Sequence, residues 1–582
     1  MEISTSAFDR IVEAKPHSAV YMMHKYFARR PWNVFREIIS HYTRPSDIIL
    51  DPFCGGGVTV VESLKLRRKP IAVDVNPLAT YVTRMEVSPV DLDALKLTFG
   101  EVRKKVEREI LRLYATKCPR CKAITTAEWI EWEEKSGRIM RLNYQCNTCS
   151  STGEKKPAIE DEELAERVSK AFSKDVRERN LWYPDVSIPD GDKTKSLLNA
   201  GIKYFHELFT RRNLLALAIL RDAIQQVENP TTRQFLELVF SSSLKWASRQ
   251  SHMRSKIIEG WAMHAYWIYP KSLEINVWKT FERRFEAVCR GKRYSNQEIG
   301  NCKFAHSFTD LKQNADCLIL TRSSANLPIP DSSIDAVITD PPYGGNVNYS
   351  ELSDYWVIWR DKGQTIDKKD EVIINRTQGK NLTAYERLLL GVLKECYRVL
   401  KPARCLVSTF NSKDLRVVAS FVMAASEAGF SLHPDGLVYQ PPIRAYTTTF
   451  HAMQVGAFVG DFVFTFVKSP SVKANGTLVS KELDKFKVDI TRLIEENING
   501  SVTEPQLREK AYRMLIPFLS KYAPIDEPSC REAVDFFESE IEKYEGHFKN
   551  LHDQIIEKRR EVYLSSKNGK RSRISHHQTL LG

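Results

Sequence analysis

Two short stretches decide the fold: Asp51-Pro52-Phe53-Cys54-Gly55-Gly56-Gly57 near the start of the chain, and Asp340-Pro341-Pro342-Tyr343 far downstream. An apolar run typical of a buried strand precedes each one, at 48–50 and 336–338 respectively. A glycine-rich turn after a strand lets the backbone approach a nucleotide-like cofactor. The second stretch places a carboxylate, a proline turn and an aromatic ring at the end of another strand. The pair predicts one site built at the edge of one sheet.

A further acidic residue follows the glycine turn. Residues 58–66 predict a helix whose N-terminal amides point at a cofactor, and 71–76 predict the next strand. This strand ends in Asp74, about 20 residues after the glycines, where doubly wound folds place the carboxylate that binds ribose hydroxyls. A strand-terminal Asp is by itself more often a turn residue or a helix cap. Its distance from this glycine turn favours cofactor binding.

The strand–helix alternation stops at about residue 88 and returns after residue 300. The intervening block predicts helices from Leu92, over 203–227 and over 231–252. Later strands are predicted at 317–320, 335–339, 405–408, 436–440 and 462–467, with helices over 385–399 and 415–427. We therefore expect a mostly parallel α/β sheet with an antiparallel final hairpin, interrupted by a large helical insertion.

Four of the eleven cysteines form two Cys-x-x-Cys pairs separated by about two dozen residues. Each pair offers two thiolates from one tight turn, so that the two turns can close a tetrahedral zinc site. With all four positions filled by protein, the metal would be structural and not catalytic. The sequence predicts a zinc ribbon over 115–152, with the ligands Cys118, Cys121, Cys146 and Cys149.

Size and charge bound the function. A chain of 582 residues is too long for a single ordinary core, and 42% hydrophobic with 27% charged residues fits a folded, soluble protein. The formal net charge of +13 favours a nucleic-acid partner over a merely basic surface. No apolar stretch is as long as a membrane helix; the best candidate, 455–467, contains Gly460-Asp461 and favours a hairpin. Since no secretory signal is visible, we expect a cytoplasmic protein.

The chain resembles the S-adenosylmethionine-dependent DNA amino-methyltransferases, and most of all their adenine-specific group that carries a zinc ribbon. Six stretches carry the resemblance: 26–31 (Tyr-Phe-Ala-Arg-Arg-Pro), 51–57, 74–77, 340–343, 349–354 and 395–402. It implies a Rossmann-like class I methyltransferase fold with a mostly parallel seven-stranded sheet. The expected organisation is 1–87 and 301–468 for the two parts of the catalytic domain, 88–300 for the inserted, DNA-recognising region, and 469–582 for a helical C-terminal region.

The resemblance also implies the roles of individual residues. The exocyclic amine of a flipped base would donate to the Asp340 carboxylate and the Pro341 carbonyl, which favours a pyramidal nitrogen that attacks the sulfonium methyl directly. Tyr343 would stack on that base. The implied catalytic residues are Asp340, Pro341, Pro342 and Tyr343. The implied S-adenosylmethionine-binding residues are Asp51, Pro52, Phe53, Gly55, Gly57, Asp74, Asn76 and Ser323.

The sequence departs from the family pattern at two places. Arg404-Cys405 stands where a glycine commonly follows the lysine-proline turn, and Arg322-Ser323-Ser324 replaces the usual Gly-Asp-Ala. The second change affects the expected contact to the cofactor's adenine, for which Ser323 can still donate or accept a hydrogen bond.

The acceptor is expected to be N6 of adenine in double-stranded DNA, since Asp leads the tetrapeptide whereas Ser is commoner among N4-cytosine enzymes. Three alternatives stay open: N4 of cytosine, a tRNA guanine-N2 methyltransferase, and an inactive DNA-binding subunit. The tRNA alternative ranks lower because only about 50 residues precede the glycine turn. A separate restriction or defence subunit is a candidate partner. Candidate DNA contacts are Lys245, Arg249, Arg254 and Lys256, with a basic tail at Lys567, Lys570, Arg571 and Arg573.

Overall fold

A computed structural model of the chain describes residues 6–441, 460–468, 476–498, 502–550 and 554. The first part of the chain alternates helices and strands. Pro77 begins the last of these helices, and the side chain of the preceding Asn76 caps it by accepting from the Leu78 N–H. Its elements are a 3₁₀ turn (Ala19–Met22), α1 (Trp32–Tyr42), β1 (Ile48–Asp51), α2 (Val58–Lys65), β2 (Lys69–Asp74) and α3 (Pro77–Val87).

The insertion contains a small antiparallel sheet among helices. Its elements are α4 (Leu92–Arg112), β3 (Ala115–Lys117), β4 (Ile124–Glu133), β5 (Arg138–Gln145), β6 (Thr152–Lys155), α5 (Ile159–Glu178), α6 (Lys195–Asn199), α7 (Arg211–Gln225), α8 (Pro230–Ala247), β7 (His252–Arg254), β8 (Ile257–Glu259), β9 (Lys271–Ile275) and α9 (Val277–Glu298). Strand β4 pairs with β3 near the cysteines and with β9 further along, so one sheet joins both ends of the insertion.

Two predicted helices of the insertion are too long. The helix predicted over 203–227 begins only at Arg211, because the Thr210 side chain accepts from the Asn213 N–H and caps it there. The helix predicted over 231–252 ends at Ala247, and β7 and β8 then form a hairpin. Its turn residues Ser255 and Lys256 both have positive φ, as a tight hairpin turn requires.

The chain after residue 300 restores the alternation of strands and helices. Its elements are β10 (Phe304–Ala305), α10 (Phe308–Gln313), β11 (Cys317–Thr321), β12 (Ala336–Thr339), α11 (Tyr349–Arg360), α12 (Leu382–Val399), β13 (Cys405–Phe410), α13 (Leu415–Glu427), β14 (Phe430–Gln440) and β15 (Asp461–Lys468). Residues 455–459 of the expected hairpin lie outside the described residues, and β15 pairs antiparallel with β14.

The central sheet has the order β10-β11-β2-β1-β12-β13-β15-β14, and only β15 runs antiparallel to its neighbours. The α/β class and the mostly parallel sheet are thus confirmed, in agreement with a class I methyltransferase fold. The sheet has eight strands and not the expected seven, because the two-residue strand β10 adds to one edge. Such a short ladder leaves no periodic pattern in the sequence.

Helices cover both faces of the sheet, and side chains of successive strand residues enter different cores. Ile49 and Ala72 belong to a core that also contains the helices of the insertion. Leu50 and Ile71 belong to a second core, which contains α12 and α13. Three C-terminal helices complete that second core: α14 (Gly476–Ile498), α15 (Glu504–Tyr522) and α16 (Glu527–Glu542).

Within the described ranges, we find no helix that is both long and apolar enough to cross a membrane. The predicted basic tail, from Lys567 to Arg573, lies outside the described residues.

Candidate functional site

Three acidic residues meet at one edge of the sheet. Asp51 and Asp74 end the adjacent parallel strands β1 and β2, and Asp340 follows β12, the other neighbour of β1. A cavity opens between these strand ends. The residues lining it include seven of the eight expected cofactor-binding residues: Asp51, Pro52, Phe53, Gly55, Asp74, Asn76 and Ser323.

The eighth residue, Gly57, does not line the cavity but allows the backbone conformation of the glycine turn. Its φ is +77°, and a Cβ there would stand 2.8 Å from the Thr83 hydroxyl oxygen and 3.0 Å from a Glu86 carboxylate oxygen. Glycine is therefore required both by conformation and by space. Gly55, with a φ of +45°, donates its N–H to Asp74 Oδ2 at 3.0 Å. The turn is thus tied to the end of the neighbouring strand.

Asp74 is held by backbone donors on both oxygens, since the Asn76 N–H also donates to Oδ1 at 2.8 Å. Burial raises the pKa of the Asp74 carboxyl to about 7, although these two N–H groups lower it. Burial likewise raises the pKa of Asp51 to about 6. The Asn76 side chain caps α3 and donates to the Ser353 hydroxyl at 2.8 Å. Its amide is therefore engaged within the protein, although Asn76 lines the cavity.

Ser323 and Ser324, in the motif that departs from the family pattern, differ in their contacts. Ser323 is half-buried and lines the cavity. Ser324 is buried and donates its hydroxyl to the Pro52 carbonyl at 2.7 Å, which fixes the turn after β1. Ser323 is thus the one of the two whose hydroxyl is placed for a ligand contact.

Asp340 lies at the other end of the cavity and accepts three hydrogen bonds. Arg30 Nε donates to Oδ2 at 2.7 Å, whereas the Thr409 hydroxyl (2.7 Å) and the Tyr343 hydroxyl donate to Oδ1. Burial raises the pKa of Tyr343 well above its usual value, so that the phenol stays protonated and can donate. The Tyr343 ring centroid lies 4.6 Å from that of Phe410.

A hydrogen bond from helix α12 fixes the turn around Pro341 and Pro342. Pro341 is buried, and the Pro342 carbonyl accepts from the Tyr385 hydroxyl at 2.8 Å. Pro342 also lines the cavity. The four expected catalytic residues therefore form one turn; Asp340 and Pro342 line the cavity, whereas Pro341 and Tyr343 are not among its lining residues.

Four residues of the site had no predicted role: Arg30, Glu371, Thr409 and Asp461. Arg30 belongs to a stretch that carries the resemblance, but its partners Asp340 and Asp461 lie hundreds of residues away. Glu371 is only 3% exposed and lines the cavity, and its Oε1 accepts from the Ser350 N–H at 2.8 Å. No local motif marks Glu371, Thr409 or Asp461: Thr409 and Asp461 lie on the neighbouring strands β13 and β15, and Glu371 lies in the connection between α11 and α12.

The four cysteine sulfurs of the insertion cluster as predicted, all within 4.8 Å of one another. Cys118 Sγ lies 3.7 Å from Cys149 Sγ, and Cys121 Sγ lies 3.6 Å from Cys146 Sγ. Four sulfurs bound at about 2.3 Å around a tetrahedral zinc lie about 3.8 Å apart. The cluster therefore fits zinc by donor type, number and spacing.

The two cysteine turns repeat one backbone geometry. Lys122 and Ser150, which directly follow the second cysteine of each pair, have φ values of +64° and +56°. The N–H of the first cysteine in each pair donates across its turn, from Cys118 to the Ala123 carbonyl and from Cys146 to the Ser151 carbonyl. Backbone N–H donation, chiefly from Cys149, lowers the pKa of Cys146 to about 6, which favours a thiolate.

The four candidate DNA contacts fall into two groups. Arg249 donates to the Glu207 carbonyl at 2.8 Å and pairs with Glu134, so it has a structural role. Lys245 is half-buried over the Trp246 ring, and burial lowers its pKa to about 8. Arg254 and Lys256 are exposed at the tip of the β7–β8 hairpin.

Comparison with known proteins agrees with this geometry. A family model described as DNA methylase, of the N6/N4 methyltransferase type, matches residues 7–83. The resemblance to S-adenosylmethionine-dependent DNA methyltransferases is thereby confirmed. The matched segment contains Arg30, the glycine turn and Asp74, but it does not distinguish adenine from cytosine methylases.

Two curated methylases match a longer part of the chain. The type II methyltransferase M.MjaII of Methanocaldococcus jannaschii is 19% identical over 366 residues, 60% of this chain and 64% of that protein. The type II methyltransferase M.MvaI of Kocuria varians is 20% identical over 348 residues, 57% of this chain and 56% of that protein. The chain thus spans less than two thirds of the length of either methylase.

We expect about one zinc per chain by elemental analysis, held by the four cysteines. Replacing both Cys121 and Cys149 by Ser should remove the metal and lower the melting temperature, whereas Cys289→Ser, at a buried cysteine outside the cluster, should keep it. A zinc-free wild-type preparation that melts at the same temperature as a zinc-loaded one would contradict this assignment.

We also expect the affinity for S-adenosylmethionine to depend on pH through Asp74. The pKa of Asp74 is raised to about 7, so the carboxylate that would accept ribose hydroxyls forms only as the pH rises through that value. Calorimetric titration should show tighter binding at about pH 8 than at about pH 6. Asp74→Asn should bind more weakly and lose this rise, and Asp51→Asn should keep it. A rise that persists in Asp74→Asn would assign the titration to another buried acid, such as Glu86.

Proposed function

We propose that the protein transfers a methyl group from S-adenosylmethionine to an exocyclic amino group of a base in duplex DNA. One observation carries the proposal: Asp340 and Pro342 of the Asp340–Tyr343 turn line the same cavity as Gly55 and Asp74. A carboxylate and an aromatic ring for the base thus lie next to a pocket for the cofactor.

The cofactor site fits S-adenosylmethionine by the chemistry of its donors. Asp74 offers a carboxylate for ribose hydroxyls, Phe53 offers a half-buried ring, and Ser323 offers a hydroxyl at the cavity wall. Glu371 adds a buried carboxylate, suited to the ammonium group of the methionine moiety. When bound, S-adenosylmethionine supplies an electrophilic methyl group.

The residues around Asp340 suit an amine nucleophile. Asp340 would accept a hydrogen bond from the exocyclic amino group, hold its nitrogen lone pair towards the cofactor pocket, and receive the proton that the nitrogen gives up. Much of the rate would come from this positioning. Tyr343 would stack on the base, which has to leave the duplex because its amino group is inaccessible inside it.

We place adenine first as the acceptor and N4 of cytosine second. The Asp that leads the tetrapeptide favours N6 of adenine, and the matching DNA methylase model covers both types. Both named relatives are type II methyltransferases, which favours a role in restriction–modification. The cleaving activity would then belong to a separate protein.

We infer that the insertion over 88–300 reads the DNA, and that the β7–β8 hairpin is part of the reading surface. The segment after this hairpin packs against α11: the Trp261 ring is tilted against those of Tyr355 and Trp356, with ring centroids 4.8 and 5.2 Å away. The Tyr266 hydroxyl donates to the Glu351 carbonyl. Helix α11 begins six residues after Tyr343. Arg254 and Lys256, exposed at the hairpin tip, are the residues that we assign to phosphate contacts. The helices after residue 468 would serve as an accessory region.

Methylation of DNA by the purified protein tests the function directly. DNA incubated with the protein and S-adenosylmethionine, then digested to nucleosides, should contain N6-methyladenine, and sequencing for modified bases should map it to one short site. Asp340→Asn should bind S-adenosylmethionine as well as wild type but methylate at least about a hundredfold more slowly, since it cannot receive the proton. The exposed Asp435→Asn serves as the control.

The outcomes separate the alternatives. N4-methylcytosine in the digest would keep the mechanism and change the base, and methylation of tRNA alone would change the substrate class. Near-normal turnover by Asp340→Asn would overturn the catalytic assignment.

Binding by the hairpin predicts a change in salt dependence. Replacing Arg254 and Lys256 together by Gln should weaken binding to all DNA sequences alike. It should also lower the slope of log affinity against log salt by about 2, because two phosphate contacts are lost. The matched control replaces Lys170 and Lys174 by Gln, whose side chains are 75% and 68% exposed on α5. An unchanged slope in the hairpin variant would place the DNA elsewhere.

A further inference from the structure

Arg30 occupies the position that the target base would take. Its Nε donates to Asp340 Oδ2 at 2.7 Å, and its guanidinium carbon lies 4.9 Å from the centroid of the Tyr343 ring. These are the carboxylate and the ring that would hold the base. The side chains of Arg30 and Asp340 are only 19% and 21% exposed, so little water remains to mediate between them.

A guanidinium group can take the place of a base amine both at the Asp340 carboxylate and at the Tyr343 ring. It is planar, it donates N–H groups to carboxylates, and it stacks on aromatic rings. A base therefore cannot donate to Asp340 Oδ2 and lie against Tyr343 while Arg30 stays. We propose that Arg30 fills the target-base position in the free protein and yields it to the entering base, remaining bound to Asp461. This inference rests on the proposed function of the same site.

Asp461 provides the place to which Arg30 withdraws. It begins β15 and accepts from Arg30 Nη1 at 2.9 Å, through a different nitrogen from the one that donates to Asp340. Breaking the contact to Asp340 therefore leaves the contact to Asp461 intact. Burial raises the pKa of Asp461, and Arg30 opposes this by stabilising the charged carboxylate. Both charges are therefore stabilised while Arg30 and Asp461 stay paired.

Asp340 stays oriented when Arg30 leaves. The hydroxyls of Thr409 and Tyr343 both donate to Oδ1, the oxygen that Arg30 does not contact. Withdrawal of Arg30 thus frees Oδ2 for the amine without releasing the carboxylate. Displacing Arg30 costs free energy whichever base enters the site. Only a base whose amino group donates to Asp340 offsets this free-energy cost.

The test uses two single variants with opposite expected effects. Arg30→Met keeps the length of the side chain but cannot donate to Asp340, so the base no longer has a competitor. Asp461→Asn removes the second anchor, so Arg30 holds Asp340 more exclusively. The ligand is a labelled duplex carrying the mapped site, with the target adenine opposite an abasic position, so that base pairing does not oppose entry.

Binding is measured by fluorescence anisotropy with the full-length protein. Arg30→Met should bind this duplex about tenfold more tightly than wild type, the effect of removing one competing hydrogen bond to a charged group. Asp461→Asn should bind it more weakly, and the double variant should behave like Arg30→Met. A merely structural pair would instead weaken binding in all three variants. The proposal is overturned if Arg30→Met binds no more tightly than wild type or if Asp461→Asn binds more tightly.

Controls separate this inference from the function on which it rests. Arg10→Met removes an exposed arginine that pairs with Glu37 at the surface, and it should bind as wild type does. Calorimetric titration of each variant with S-adenosylmethionine checks that the neighbouring pocket is still folded. A wild-type protein that methylates no DNA would refute the proposed function. A wild-type protein that methylates DNA, with an Arg30→Met variant that gains no affinity, would refute the role of Arg30 alone.

Discussion

The site depends on the parallel pairing of β1 with β2 on one side and with β12 on the other. Leu50 is in register with Ile71 and with Val337, so the three strands end at the same level. Two side-chain contacts then lock their ends together: Thr339 donates to Asp51 at 2.7 Å, and Gly55 donates to Asp74. Two motifs nearly 290 residues apart thus become one cavity wall. A slip of one residue in either ladder would turn the acids away from each other.

The same pairing concentrates negative charge where water is scarce, and the protein compensates in several ways. Backbone N–H groups satisfy Asp74, hydroxyls satisfy Asp51 and part of Asp340, and Arg30 bridges Asp340 to Asp461. Beneath the glycine turn, Arg29 pairs with Glu86 at 2.6 Å, with side chains 4% and 1% exposed. A buried pair of this kind contributes little net stability, but the loss of one partner is costly. The turn therefore rests on a charge pair that tolerates little change.

Much of the architecture could be predicted because it follows local patterns. Strand-like runs before the two motifs, the acid at Asp74 and the spacing of the cysteines each reflect a few neighbouring residues. What could not be predicted depends on distant pairing. Arg30 meets Asp461 across 431 residues, and β10 exists only because β11 offers an edge. Arg249, expected at the DNA, is instead bound to Glu134, since β4 and the loop after α8 come together only in the folded insertion.

The distance between β1 and β12 also affects how the chain folds as it is made. Ile48 donates to Asp335 across 287 residues, so one edge of β1 lacks its partner until the whole insertion has been synthesised. At about 5–20 residues per second, the wait lasts roughly 15 to 60 s. An unpaired apolar strand edge invites association with other chains. Chaperones that shield nascent chains would therefore matter most for this protein while the ribosome is translating the insertion.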